Sequence, residues 1–202
     1  MIGLYGGTFD PIHNGHLHVA KQLLKSGRIS KVILIPAGEP RLKIGPQASG
    51  EDRIEMCRLA IADSSKKITL PIEVSDIEIK RSGPSYAIDT VTELMKLYPE
   101  EDFAWIIGSD AFRKIDEWHE SARLQELIAF IVIERPNPEN RNNSNESGEI
   151  DDTEEFDSLD IDALSISSTD IRGRLARGER VDALLSPSVS EFIRENGLYA
   201  SA

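Results

Sequence analysis

The chain has 202 residues, a net charge of −12, 40% hydrophobic residues and a single cysteine, Cys57. This length allows one α/β domain with a substantial core and excludes two large ones. No apolar run approaches the ~20 residues of a membrane-spanning helix. No leader peptide is visible, and a lone cysteine excludes an internal disulfide, so we expect a cytoplasmic protein.

Most of the negative charge lies in one segment. Residues 139–162 contain ten acidic residues and one basic residue, so that segment holds −9 of the charge and the rest of the chain holds −3. The overall acidity argues against a nucleic-acid partner, whereas the nearly neutral remainder is compatible with an anionic substrate. The stretch at about 137–160 is rich in Asn, Ser, Glu and Asp, which predicts a mobile acidic insertion in an otherwise single domain spanning 1–202.

Apolar runs alternate with helical patterns along the chain. Continuous runs typical of buried strands in a parallel sheet occur at 2–5, 31–36, 103–107 and 129–133. An alternating run predicts a half-exposed strand at 72–79, and 164–166 is a candidate sixth strand. Helical spacing or capping residues predict helices at 17–24, 50–62, 88–97, 111–118, 122–127 and 168–176, and from 187 to just before Gly197.

This alternation predicts an α/β fold of the Rossmann-like, doubly wound type, with a mainly parallel sheet and helices on both faces. Ligands of such folds bind beyond the carboxyl ends of the strands. The loops at 6–16, 38–43, 108–110 and 166–169 all follow predicted strands. We therefore expect these four loops to meet at one edge of the sheet.

The first of these loops reads GGTFDPIHNGH, residues 6–16, between a strand and a helix. Gly6 and Gly7 allow backbone N–H groups to approach a ligand closely, and a helix N-terminus attracts phosphate. His13 and His16 are three residues apart and can face the same side of the first helical turn. Three interpretations arise: phosphate donors, which the context favours, metal ligands together with His18, or ordinary polar residues at a helix start.

A second polar motif, SISSTDIR, occupies residues 165–172 at the start of a predicted helix. Hydroxyl side chains such as that of Ser168 are common helix caps, but they also donate to anions. Arg172 follows about one turn later, where its guanidinium could reach the same phosphates.

Together the two motifs resemble the GGTFDPIHxGH and ISSTxIR signatures of nucleotidyltransferases, most closely those of bacterial nicotinate-mononucleotide adenylyltransferases. The resemblance implies transfer of AMP from ATP to nicotinate mononucleotide, which releases pyrophosphate and forms deamido-NAD in NAD biosynthesis. It also implies Mg²⁺ that enters with ATP and is held by phosphates and water, so no metal ligands are assigned to the protein. ATP and nicotinate mononucleotide would be the partners, with no nucleic acid or membrane, and a homo-oligomer is compatible with the sequence.

By the same resemblance, the catalytic residues would be His13, His16, Lys43 and Arg172. The residues that bind ATP would come from both motifs and from the turn after the 103–107 strand: Gly6, Gly7, Thr8, Phe9, Asp10, His13, His16, Gly108, Asp110, Ile166, Ser168, Thr169 and Arg172. The residues that bind the acceptor nucleotide would be Thr8, Lys43, Ser85, Tyr86 and Trp118. Trp118 would stack on the pyridine ring, and Ser85 and Tyr86 would offer backbone groups to its carboxylate.

Two of these assignments have ordinary alternatives. The family usually has a Pro-Pro-His-Lys loop where residues 40–43 here read Pro-Arg-Leu-Lys, so only Lys43 is carried over, and it could equally be a solvated surface lysine. Trp118 could be a core residue, as most tryptophans are.

Two other functions remain open. One is a related adenylyltransferase, such as the phosphopantetheine enzyme, although Trp118 with Ser85 and Tyr86 favours a pyridine nucleotide. The other is a regulator that binds nucleotide without catalysis, against which the intact His13, His16 and Arg172 argue. An aminoacyl-tRNA synthetase is excluded by the length and by the missing Lys-Met-Ser-Lys-Ser loop.

Overall fold

The computed structural model describes residues 1–38, 47–66, 68–134, 157–159, 164 and 166–200. Its strands are β1 (Ile2–Gly7), β2 (Lys31–Pro36), β3 (Ile72–Val74), β4 (Phe103–Gly108), β5 (Ala129–Ile133) and β6 (Asp157–Leu159). Its helices are α1 (Asn14–Lys25), α2 (Gly50–Ser64), α3 (Ile77–Lys80), α4 (Ala87–Leu97), α5 (Ser109–Phe112), α6 (Ser121–Leu127), α7 (Ser168–Ala176) and α8 (Pro187–Glu195), with a 3₁₀ turn at Ile115–Glu117.

The six strands form one sheet in the order β3-β2-β1-β4-β5-β6, and every pairing is parallel. The chain moves outward from β1 to β3 and then returns to add β4 on the other side of β1. The order therefore reverses between β1 and β4, where Tyr5 pairs with Ile106. In an open parallel sheet, this reversal leaves a crevice beyond the carboxyl ends of the two strands, where ligands bind.

Alternate residues of each central strand point to opposite faces of the sheet. Ala104 and Ile106 of β4 join one apolar cluster with α1, α2 and α8, whereas Trp105 and Ile107 join a second cluster with α4 and α6. The predicted doubly wound sheet with helices on both faces is confirmed. None of the helices in the described part of the chain is both long and apolar enough to cross a membrane.

The strand predicted at 72–79 is wrong over its second half. Only Ile72–Val74 is a strand, and α3 follows at Ile77–Lys80. Local bonds favour the helix: the Ser75 hydroxyl accepts the Ile77 N–H at 3.4 Å, and the Lys80 N–H donates to the Asp76 carbonyl at 2.9 Å. Such bonds compete with the sheet for the backbone groups of this segment.

The single helix predicted at 111–118 is also wrong. The chain forms the short helix α5 and then the 3₁₀ turn, and Trp118 adopts an extended conformation with ψ of 149°. This break buries Ile115 in the core and packs Trp118 edge-to-face on Trp105, with ring centroids 6.1 Å apart. Tertiary packing thus overrides the local helical periodicity.

The sixth strand lies at Asp157–Leu159, where Asp157 pairs with Ile131 of β5, and not at 164–166. Leu164 and Ile166 lie outside any strand, and residue 165 lies outside the described residues. An edge strand buries less than a central one, so its apolar pattern is weak. The strand falls within the predicted acidic insertion, and because the rest of 137–160 lies outside the described residues, its mobility stays a prediction.

Candidate active site

The two histidines of the first motif lie against each other where α1 begins. His13 is the N-cap, and its side chain is only 6% exposed. The two imidazoles stack with centroids 3.7 Å apart and an angle of 23° between the ring planes. The backbone N–H of His13 donates to Nδ1 of His16 at 3.2 Å. A neutral imidazole that accepts at Nδ1 carries its proton on Nε2, so His16 Nε2 is a hydrogen-bond donor.

At two positions of the motif, neighbouring aromatic rings leave no room for a side chain larger than that of glycine. A Cβ at Gly15 would lie 3.0 Å from the His13 ring, and a Cβ at Gly6 would lie 2.7 Å from the Trp105 ring. Gly15 therefore permits the stacked arrangement of the histidines. Gly6 permits close packing of β1 on β4, a reason that sequence analysis did not anticipate.

The loop between β1 and α1 is held through the buried carboxylate of Asp10, which is 3% exposed. It accepts the backbone N–H groups of Gln47 and Ala48, at 2.9 and 3.1 Å, and the hydroxyl of Tyr199 at 2.7 Å. The side chain of Arg53 donates to the Thr8 carbonyl at 2.8 Å. Asp10 thus anchors the loop within the protein, and the ATP contact expected of it stays a prediction.

The second motif contacts the first directly. The Ser168 hydroxyl donates to the Pro11 carbonyl at 3.0 Å. Arg172 donates to the Asp10 carbonyl at 2.7 Å and to the Thr169 hydroxyl at 3.3 Å. Ser167, not Ser168, is the N-cap of α7, so capping does not explain Ser168.

Sequence reasoning missed two residues of this network, Arg53 and Tyr199. Both are buried, and burial lowers the pKa of the Arg53 guanidinium, although the nearby Asp10 carboxylate partly offsets this effect. The sequence contains a clue to Arg53, because this charged residue lies on the same face of α2 as Met56, Cys57 and Ala60. It contains none to Tyr199, because 189 residues separate that residue from Asp10.

Two of the residues expected to bind the acceptor, Tyr86 and Trp118, lie beside the second apolar cluster. Tyr86 is the N-cap of α4, and its ring stacks on that of His119 with centroids 4.1 Å apart. Tyr86 and Trp118 both pack against the cluster that contains Trp105. The Ser85 hydroxyl donates to the Glu78 carbonyl at 3.4 Å, and the backbone contact with the acceptor expected of Ser85 stays a prediction.

Three further expected site residues, Gly108, Asp110 and Ile166, lie after predicted or observed strands or against the first motif. Gly108 ends β4, and Asp110 is exposed in the first turn of α5. Ile166 is partly buried, with its Cβ 3.6 Å from the position of a Cβ on Gly15. Lys43 lies outside the described residues. In the part of the chain that is described, no three His, Cys, Asp or Glu side chains group as metal ligands, which gives no support to a site formed with His18.

A donor pair at a helix N-terminus, a neighbouring arginine and a position at the switch point of the sheet define a nucleotide-binding site of the nucleotidyltransferase class. Consistent with this class, residues 4–174 match the family described as Cytidylyltransferase-like. The chain is also 42% identical to a probable nicotinate-nucleotide adenylyltransferase of Desulfitobacterium hafniense, over 98% of this chain and 95% of that protein. A probable nicotinate-nucleotide adenylyltransferase of Oceanobacillus iheyensis is 36% identical over 98% of this chain and 96% of its own.

Among solved structures, the fold matches that of Plasmodium falciparum nicotinic acid mononucleotide adenylyltransferase complexed with NaAD. The TM-score is 0.79 at 26% identity, and the match covers 98% of this chain and 96% of that one. The chain belongs to the nicotinate-nucleotide adenylyltransferase family, as its two motifs predicted.

Proposed function

We propose that this protein transfers AMP from ATP to nicotinate mononucleotide and so makes deamido-NAD and pyrophosphate. The observation that carries the proposal is the stacked His13–His16 pair at the N-terminus of α1, joined to the second motif through Arg172 and Ser168. The two histidines follow β1, and Ser168 and Arg172 contact the loop after it, at the edge where the sheet order reverses. The names of the relatives agree with this chemistry.

The reaction needs charge stabilisation more than it needs a base. The second pKa of a phosphate monoester is near 6, so the acceptor phosphate is already an anionic nucleophile at neutral pH. One of its oxygens bonds to the α-phosphorus of ATP while the bond from that phosphorus to the bridging oxygen breaks, and pyrophosphate leaves with the electron pair. His16 Nε2, the Arg172 guanidinium and the positive end of α1 would stabilise the charge on the leaving group.

Mg²⁺ fits this arrangement as a partner of ATP rather than as a resident ion. The described donors beside the crevice are mainly N–H groups, which suit phosphate oxygens, and Asp110 is the exposed carboxylate nearest the end of β4. The ion would be held by phosphate oxygens, water and at most Asp110, and when bound it neutralises phosphate charge. Lys43, from the loop after β2, is proposed to add a further positive charge.

The acceptor ring is proposed to lie between Trp118 and the N-terminus of α4. Backbone N–H groups after Tyr86 and the positive end of this 11-residue helix favour a carboxylate over a neutral carboxamide. This favours the nicotinate over the nicotinamide form of the substrate. A cytoplasmic location and the oligomeric state stay predictions.

Pyrophosphate release with ATP and Mg²⁺ tests the proposal, with nicotinate mononucleotide, nicotinamide mononucleotide and phosphopantetheine compared as acceptors. We expect turnover with nicotinate mononucleotide and at least tenfold lower kcat/KM with the other two. Preferred turnover with phosphopantetheine would support the proposed phosphate chemistry but refute the assignment of the acceptor pocket to a pyridine nucleotide. ATP binding without turnover of any acceptor would identify a non-catalytic nucleotide-binding protein.

A further inference from the structure

One buried carboxylate near the crevice has no part in the phosphate chemistry described above. The Glu78 side chain, on α3, is 8% exposed, and burial raises its pKa. Its Oε1 accepts the Thr90 hydroxyl at 2.8 Å, and its Oε2 accepts the Gly38 N–H at 3.3 Å. An ionisable group is costly to bury unless its oxygens are paired, and here each oxygen has a donor.

The direction of these bonds is determined by Arg81. Its guanidinium donates to the Thr90 hydroxyl oxygen at 3.0 Å and pairs with Glu93 at 2.9 Å. Arginine cannot accept a hydrogen bond, so the single hydroxyl proton of Thr90 points to Glu78. The chain of donors therefore runs from Arg81 through Thr90 to the ionised carboxylate of Glu78.

Glu78 joins the segment after β2 to the start of α4, and the N-terminus of α4 borders the proposed acceptor pocket. Gly38 follows the end of β2 and precedes the loop that carries Lys43, whereas Thr90 lies in the first turns of α4, after Tyr86. The backbone carbonyl of Glu78 also accepts the Ser85 hydroxyl. The fit is close, because a Cβ on Gly38 would lie 2.6 Å from that carbonyl oxygen.

We propose that Glu78 is a positioning residue for the acceptor nucleotide, which holds the segment after β2 and the start of α4 at the separation that the acceptor requires. The proposal rests on the proposed function. Glu78 does not touch the reacting phosphates, and the ATP side of the crevice is held separately by Asp10 and Arg172. Its loss should therefore weaken binding of the acceptor much more than binding of ATP.

A carboxylate is needed because the two donors come from different segments. Glutamine has the same shape but only one acceptor oxygen, so its NH₂ group would face either the Gly38 N–H or the Thr90 hydroxyl. A hydrogen bond to a charged group contributes about 1.5–3 kcal/mol, which corresponds to roughly 10- to 100-fold in an equilibrium constant.

The test is steady-state pyrophosphate release by Glu78→Gln, with each substrate varied at saturation of the other. We expect KM for nicotinate mononucleotide to rise about tenfold or more, with KM for ATP and kcat within about twofold of wild type. The matched control is Glu73→Gln, which removes an exposed carboxylate paired with Lys31, and it should leave both KM values unchanged.

A second variant, Thr90→Val, removes one donor of the same chain and leaves the Glu78 side chain itself unchanged. It should raise the same KM, and the double variant should show less than the product of the two single effects, because both break one network. Equal changes in both KM values, or Glu78→Gln kinetics equal to wild type, would overturn the positioning role. If wild type itself fails to use nicotinate mononucleotide, the proposed function is wrong. If wild type turns it over and Glu78→Gln has the same kinetics, only the positioning role is wrong.

Discussion

At the scale of single residues, the proposed phosphate chemistry depends on the proton of one imidazole. The bond from the His13 N–H to His16 Nδ1 places the neutral imidazole's proton on Nε2, where it can donate to a phosphate. Burial of His13 and the stacked rings hold this orientation before substrate binds, so little reorganisation is needed in the reaction.

His16→Ala should therefore lower kcat by about 10²- to 10³-fold, the usual cost of removing one preorganised donor. The thermal unfolding midpoint and ATP binding should change much less. His18→Ala is the matched control, because His18 lies two residues along the same helix and lines a surface groove with Lys21 instead. Equal loss of kcat in both variants would assign the effect to α1 as a whole, and near-normal turnover of His16→Ala would refute the phosphate site.

The raised pKa of Glu78 makes a second prediction, on stability. Burial penalises the ionised form, with Thr90, Gly38, Arg81 and Arg53 acting in the opposite direction. The folded state then holds this proton at a pH where the unfolded state has lost it, so the contribution of Glu78 to stability falls as pH rises from about 4.5 through the raised pKa. The difference in unfolding midpoint, Glu78→Gln minus wild type, should therefore increase as pH rises across this window. A difference that stays constant with pH would contradict a raised pKa of Glu78.

At the scale of elements, the region of α8 connects α2 to the first turn of α1. The Asp63 carboxylate near the end of α2 accepts the Ser188 N–H at 2.8 Å and the Ser188 hydroxyl at 2.9 Å. The chain just before α8 accepts the Asn14 N–H at the Leu184 carbonyl, at 2.9 Å. The first turn of α1, with its histidines, is thus braced by the segment that Asp63 holds.

Asp63→Asn should loosen this brace. Partial burial favours the neutral acid, but the bonds from Lys66 and Ser188 outweigh it and hold the pKa of Asp63 at about 2, below its usual 3.8. The stabilisation is present above pH 3.8 and is lost as pH falls toward 2; allowing for solvent screening we expect about 1–2 kcal/mol. Acid unfolding followed by circular dichroism should show less loss of stability between pH 4 and 2 in Asp63→Asn than in wild type, and Asp182→Asn, which alters an exposed pair with Arg180, should follow wild type.

At the scale of the whole molecule, the end of the described chain closes on its first loop. The Tyr199 hydroxyl donates to Asp10, whose carboxylate also binds the backbone just before α2. The position of the loop between β1 and α1 therefore depends on contacts between the first, middle and last parts of the chain.

Tyr199→Phe removes only the hydroxyl and leaves the buried ring. We expect a loss of about 1–2 kcal/mol, which lowers the unfolding midpoint by roughly 2–8 °C. Because the loop beside His13 is less firmly placed, kcat should also fall about three- to tenfold. Tyr98→Phe, which alters a tyrosine packed on Phe103 and Lys31, is the matched control for activity, and an unchanged kcat in Tyr199→Phe would limit Tyr199 to a stabilising role.

Much of the fold could be predicted because its signals are local. The buried strands β2 and β5 begin and end at the predicted residues, and α2 begins at the predicted residue 50, where Ser49 caps it through the Asp52 N–H. The predictions at 72–79 and 111–118 fail because other interactions outweigh the apolar periodicity there. These are local hydrogen bonds at 75–80 and the packing of Ile115 and Trp118 at 111–118. The edge strand β6 could not be placed, because its three residues have no apolar pattern.

By itself, the sequence determined the order of the four buried strands, the two motifs and the family, since each depends on residues close together in the chain or on a matched pattern. Only the tertiary structure decided what holds those motifs: Tyr199 and Arg53 on the first loop, Ser168 and Arg172 between the motifs, and Glu78 between Gly38 and Thr90. The physical reason is that such bonds join residues far apart in the chain, and a buried polar group finds its partner only once the sheet has brought those segments together.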